Sequence, residues 1–515
     1  MSEPSRQHQR PWPRPWPWAW PRRLVSLFGF LVFVAAVTVY YVFVISAGHL
    51  TTWPSWTNHY DAQAEGFRAG HLYTTVEASP GLKALTDPLD PKNMPLWRWD
   101  YSYYRGRIYI YWGLLPPAIL AAVKALFHVQ RGVGDDPMVF AFLLVQAIAG
   151  ALLVRAMARR LLPPPPAWSV GAAMLLIAFA HPTPYLLARG GVYEAAIAGG
   201  SAFMVLAFLC IFQSVFATRP PAGLRWLMLG SLCAGFAGAS RVSLLPAAAT
   251  TMTVAALARW RVAGGGWPRL LRLAPLAAAP LMLVTLGHMW LNKLRFDAWT
   301  EFGQSYQMGF RWLPFGARFL PANIFVYLFR PASHGCKFPY LTAEWGYPPD
   351  LFPGWLSLAD EYRVNEPTAG LFLLVPVLWF LLALPLAAAL GPFDRMTPGA
   401  IASDSRWRWF LAVLLVAAGG SLAVPLLAGA GTMRYQGDFA PALLLLAVVG
   451  AWAWLETTRA RRRSARHLAA ALLALLAAVS LIVGLLFGFS GYFNHFQRHN
   501  PALMQSLHER FDACH

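Results

Sequence analysis

The chain has 515 residues, 57% of them hydrophobic and 13% charged. Several uninterrupted apolar runs approach the roughly 20 residues that cross a hydrocarbon core of about 30 Å, which excludes a soluble domain and predicts a polytopic membrane protein. The net charge of +19 does not read as a nucleic-acid surface, because its arginines crowd into short connectors between apolar runs.

Residues 1–23 are expected to be a cytoplasmic segment, whose RPWPRPWPWAWPRR stretch reads as an interfacial anchor. Residues 24–47 form the first span, too long for a signal-peptide core and therefore an uncleaved anchor. Further spans are expected at 138–158, 167–186, 194–217, 224–240, 243–260, 272–291, 369–391, 408–429, 439–455 and 467–489, eleven in all. RAMARR (155–160), RWRVAGGGWPRLLR (259–272) and RARRRSAR (459–466) occupy connectors, and 15 of the 23 acids lie in 48–138 and 292–367. The positive-inside rule then puts the connectors in the cytoplasm, and the outer loops 48–137 and 292–368 and the tail 491–515 outside. The segment 114–129 is apolar but short, opens on two prolines and carries Lys124. It is expected to lie along the outer surface as an interfacial helix, since a further span would flip every later connector. The four cysteines contain no CxxC pair and predict no disulfide framework.

In the first outer loop, YDAQAEGFRAGHLY (60–73) has helical spacing up to Gly70. Asp61, Glu65 and Arg68 fall on one face, with Arg68 as the cation relieving the two carboxylates. This face reads either as a solvated surface or as a general base near the membrane. Asp100 and Tyr104 lie in the aromatic WRWDYSYYRGRIYIYWG (97–113), which reads as a headgroup-level belt or as a sugar-stacking surface.

Arg189, Tyr193 and Glu194 meet where an outer loop enters the fourth span. A carboxylate there gains about 0.3–1 kcal/mol from the helix N-terminus, whereas one driven to the bilayer centre costs about 2.5–3.5 kcal/mol. Such a residue therefore points to a function. Arg241 and Arg434 sit at two further outer turns, where a guanidinium can grip a lipid phosphate; Arg434 could alternatively pair with Asp438, four residues on. No P-loop, HExxH, GxSxG or EF-hand pattern occurs.

This arrangement resembles the GT-C superfamily of membrane glycosyltransferases. The resemblance is carried by the first span with its long acidic loop, by LPPAILAAVKALFHV…ALLVRAMARRLL, and by HPTPYLLARGGVYEAAIA (181–198), over residues 24–260. Beyond these, LRFDAWTEFGQSYQ (294–307) and RYQGDFAP (434–441) look like segments of bacterial members. The resemblance implies an all-α fold with a catalytic module at 24–260 and C-terminal membrane helices at 261–490. It implies transfer of a sugar from a polyprenyl-phosphate donor to a glycan, lipid or protein acceptor at the extracytoplasmic face, and the Ala/Arg/Pro-rich composition fits a bacterial inner membrane. In that scheme Asp61, Glu65 and Glu194 are catalytic. Arg189, Arg241 and Arg434 bind the donor phosphate, and Asp100, Tyr104 and Tyr193 bind substrate. The resemblance admits a divalent cation, and no residue is assigned to a metal. A lipid or sugar transporter or flippase is the alternative, but polar residues there usually gather at the midplane, between similar halves.

Overall fold

In the computed structural model, the structure describes residues 22–161, 163–309, 314–343, 356, 359, 361–364, 366–384, 404–459 and 462–514. Its principal helices are α1 (Arg22–Ile45), α2 (His59–Arg68), α3 (Leu115–Leu126), α4 (Asp136–Ala158), α5 (Ala167–Phe179), α6 (Thr183–Leu187), α7 (Val192–Val215) and α8 (Pro220–Ser240). The remainder are α9 (Leu245–Val262), α10 (Trp267–Phe296), α11 (Ser405–Leu427), α12 (Gln436–Arg459), α13 (Arg463–Ser490), α14 (His495–His499) and α15 (Pro501–Phe511).

Among the described residues, ten helical segments are long and apolar enough to cross a membrane. They correspond to ten of the eleven expected spans. The other, 369–391, begins as a short helix Leu371–Leu374 and a 3₁₀ turn Pro376–Leu382, and its later part lies outside the described residues, as do residues 1–21. The protein is an all-α, multi-pass membrane protein with short strands at one end.

The third span departs from a single helix. It breaks between α5 and α6, where Pro182 follows a cis peptide bond and Pro184 removes a second backbone donor. Gly484 of α13 fits into this break: a Cβ there would lie 2.1 Å from the Phe179 carbonyl oxygen. Segment 114–129 does form a helix, α3, of 12 residues, and it docks on α2.

The helix ends that face the long loops gather at one end of the bundle. Thr57 Oγ1 donates to Asp135 Oδ2 (2.5 Å) and accepts from Val192 N (2.8 Å). Asp135 also accepts the His59 and Tyr60 amides, at 3.1 and 3.0 Å. One buried carboxylate therefore ties together the starts of α2, α4 and α7. Above them lies a small antiparallel sheet in the order β2–β1–β3, built from β1 (Tyr101–Tyr104), β2 (Arg107–Tyr109) and β3 (Gln307–Met308). Tyr101 pairs with Met308, so the sheet joins the first long loop to the second. One apolar cluster contains Leu153 and Phe208 together with Phe410 and Leu445, so helices on either side of residue 260 share a core.

The expectation of no disulfide is corrected. Cys336 and Cys514 are bonded, with Cα atoms 5.3 Å apart and 178 residues between them in sequence. Such a pairing leaves no local spacing to read. It fastens the second loop to the tail, which is also pinned to the end of α1 by Asn500 Nδ2 donating to the Ala47 carbonyl (2.9 Å).

Candidate active site

Glu194 enters the first turn of α7 and is 2% exposed. Its Oε1 accepts from Arg189 Nη1 at 3.3 Å and from Arg434 Nη1 at 3.4 Å. Arg434 comes from the turn before α12, and its Nη2 lies 2.6 Å from Glu366 Oε1. Glu366 also accepts from the Thr432 hydroxyl and lies 3.8 Å from Arg189. Two acids and two arginines thus alternate in a buried cluster. The arginine faces rest on aromatic rings, Arg434 on Tyr193 at 4.0 Å and Arg189 on Tyr492 at 4.2 Å. Burying such charges is tolerable only when they are mutually paired, as these are. The structure therefore unites Arg189, Tyr193, Glu194 and Arg434, and adds Glu366 and Tyr492, which sequence reasoning missed. Neither carried a motif, and each meets the cluster only through tertiary packing.

Beside the cluster lies a cavity of about 450 Å³. Its walls include Tyr111, Tyr193, Arg241 and Tyr435, with Val424 and Pro425 from the end of α11. Gly113 makes the wall feasible: a Cβ there would sit 2.1 Å from the Ala239 carbonyl oxygen, so only glycine lets this loop segment lie against the end of α8. Arg241 Nε donates to Asp438 Oδ2 at 2.7 Å. Among the described residues, no acceptor meets its two terminal nitrogens. Asp438 is thus the partner of Arg241, not of Arg434 as the sequence spacing allowed.

Asp100 lies behind two of the cavity phenols. Its Oδ1 accepts from Tyr193 at 2.9 Å and from Tyr111 at 3.3 Å. The two hydroxyls also hydrogen-bond to each other, and Gln307 Nε2 donates to Tyr111 at 2.9 Å. Burial and the neighbouring Tyr193 hold the Tyr111 phenol well above its ordinary pKa, so it stays protonated. Asp100 has φ of +62°, a strained setting that hairpin and loop contacts must hold.

Asp61 and Glu65 are placed differently. Lys124 of α3 lies 2.6 Å from Asp61 Oδ1 and 2.5 Å from Glu65 Oε1, and Arg68 adds a 2.8 Å contact to Glu65. The cation between the carboxylates is therefore Lys124 rather than Arg68; Asp61, Glu65 and Asp100 all lie outside the cavity lining, but Asp100 alone hydrogen-bonds side chains that form it. Tyr104 is likewise turned elsewhere, packing on Tyr306 with ring centroids 4.5 Å apart. A divalent cation does not fit this donor set. Glu194 and Glu366 are occupied by two guanidiniums, and the described residues contain no group of three or more His, Cys, Asp or Glu side chains able to hold an ion.

No family model matches the chain, and no curated protein does. Among solved structures it is similar to ArnT from Cupriavidus metallidurans bound to undecaprenyl phosphate, at 12% identity and a TM-score of 0.43, over 94% of this chain and 78% of that one. It is also similar to the Archaeoglobus fulgidus oligosaccharyltransferase in its apo form, at 12% identity and a TM-score of 0.47, over 91% and 57%. The oligosaccharyltransferase AglB from Archaeoglobus fulgidus, in complex with an inhibitory peptide and a dolichol-phosphate, gives 11% identity and a TM-score of 0.44, over 90% and 56%. The chain thus spans little more than half the length of the archaeal enzyme.

Proposed function

We propose that this protein is a GT-C-type glycosyltransferase that moves a sugar from a polyprenyl-phosphate donor to an acceptor at the extracytoplasmic face of a bacterial inner membrane. One observation carries the reading: a cavity at the ends of the spans that pairs an arginine with free terminal nitrogens with apolar helix-end residues and a carboxylate-bound pair of phenols. Such a cavity suits a ligand with an anionic head and a lipid tail.

Arg241 holds the donor phosphate, its guanidinium oriented by Asp438. Asp100 is the general base, set by Tyr111 and Tyr193. The acceptor oxygen or nitrogen attacks the anomeric carbon, the bond from that carbon to the phosphate oxygen breaks, and the acceptor's proton passes to Asp100. The lipid phosphate leaves with the bond electrons, and Arg241 stabilises its charge. A single displacement inverts the anomeric configuration. The Arg189–Glu194–Arg434–Glu366 cluster holds Tyr193 in position beneath Asp100 and is a positioning framework. The base assigned to Asp61 and Glu65 from sequence moves to Asp100 because Lys124 already neutralises the first two.

Native mass spectrometry of the detergent-purified protein with added undecaprenyl phosphate tests this reading. The wild type is expected to retain the lipid, and Arg241→Ala to bind it at least tenfold more weakly. Retention of bulk phospholipid alone, or equal binding by both proteins, would overturn it.

A further inference from the structure

A second cavity, of about 490 Å³, lies on the loop-facing end, away from Arg241. It is enclosed by the hairpin of β4 (Ser333–His334) and β5 (Leu341–Thr342), the end of α13, and helices α14 and α15. The Cys336–Cys514 disulfide forms part of its rim. We propose that this cavity is a saccharide-binding subsite, the place where a glycan acceptor docks; its role as acceptor subsite rests on the transferase reading above.

Its volume falls within the range of about 300–1,000 Å³ common for small-ligand sites. The interior combines aromatic faces with uncharged hydrogen-bonding groups. Phe338 and Phe489 meet edge to face, with centroids 5.0 Å apart. Asn494 and Gln497 project amides that have no side-chain hydrogen bond among the described residues. Ser490 contributes to the wall from the end of α13. Among the described residues the wall contains no carboxylate, while Lys337, His334 and His508 are its basic groups. That composition fits neutral or acidic sugars rather than a cationic ligand. Aromatic rings cover the apolar faces of a pyranose, and amides meet its hydroxyls.

The wall also reaches the first site. Between Ser490 and Asn494 the chain carries Tyr492, which lies on the guanidinium of Arg189. Phe493 and Asn494 both have φ of +54°, and this local reversal turns Asn494 into the second cavity while Tyr492 faces the ionic cluster. A glycan held by Asn494 and Gln497 is therefore bound by the same turn that supports Arg189.

The full-length protein in lipid nanodiscs should be applied to an array of defined neutral and acidic oligosaccharides. Asn494→Gly combined with Gln497→Ala is suitable, because glycine keeps the left-handed backbone at 494 and both side chains are exposed. The wild type is expected to bind at least one array glycan, the double variant to lose at least tenfold, and Arg241→Ala to bind as the wild type does. Absence of glycan binding, or binding that survives the double variant, would overturn the proposal. Retention of undecaprenyl phosphate, read separately by mass spectrometry, would show that the transferase reading had not failed with it.

Discussion

Asp100 and Asp61 are both acids of the first outer loop, and sequence alone cannot rank them. Structure separates them by what each oxygen touches. Asp61 is spent on a buried lysine, whereas Asp100 receives two phenols at the cavity edge. Removing a general base typically costs about 10²–10⁴-fold in rate. Asp100→Asn is therefore expected to lower kcat by that factor with donor binding unchanged, measured by turnover together with lipid retention. Asp135 gives a prediction in pH. Burial raises its carboxyl to about 7, against the hydrogen bonds of Thr57, Tyr60 and His59, from an ordinary value of 3.8. Between those values the folded protein keeps a proton that the unfolded chain has lost. Its contribution to stability is thus full below about pH 4 and diminishes as pH rises to about 7. The melting temperature of the wild type should fall from pH 5 to pH 8, and Asp135→Asn should flatten that slope. Legibility at this scale followed sequence distance. Arg189, Tyr193 and Glu194 are neighbours and were read together, but Glu366 meets Arg434 from the far side of a loop whose sequence contains no recurring pattern.

At the scale of elements, spans were legible because length and apolarity are imposed by the bilayer itself. Helix α3 was legible for the opposite reason: it is too short to cross and contains a lysine. The same Lys124 bridges α3 to α2 through Asp61 and Glu65. At 1% exposure, between Asp61 and Glu65, it belongs to a buried ionic group whose disruption leaves an uncompensated carboxylate. Loss of one partner from such a group costs about 3–5 kcal/mol, whereas replacing the set by apolar side chains is often close to neutral. Lys124→Met should accordingly raise amide hydrogen exchange across residues 59–68. Lys124→Met with Asp61→Leu should recover much of the protection. If the single variant exchanged like the wild type, the ion pairs would not be what docks α2. The break between α5 and α6 was not foreseen, because two prolines in an apolar run are compatible with either a kink or a stop. The helix breaks and resumes, and Gly484 packs into the break.

At the scale of the molecule, the charge pattern and the disulfide bear independently on orientation. Among the described residues, the arginine-bearing ends of α4 and α9 lie at the end of the bundle opposite the long loops. Only the charge pattern was visible in sequence, because 178 residues separate the two cysteines. Disulfides persist in oxidising compartments such as the periplasm and are rare in the cytosol. Cys336 and Cys514 thus favour the same orientation that the arginines do, with the loop end outside. The disulfide closes a long loop, for which the chain-entropy account gives a stabilisation of up to about 5 kcal/mol. Two outcomes follow for protein in intact cells. Maleimide-polyethylene glycol should label Cys336 and Cys514 only after reduction, seen as a gel shift that appears with reductant. Cys514→Ser should leave Cys336 reactive from outside without reductant and lower the melting temperature of the purified protein. Labelling of Cys336 in the unreduced wild type would mean that the bond does not form in the cell. Failure to label it in Cys514→Ser, except after permeabilising the membrane, would place the loop end in the cytoplasm and overturn the proposed extracytoplasmic site.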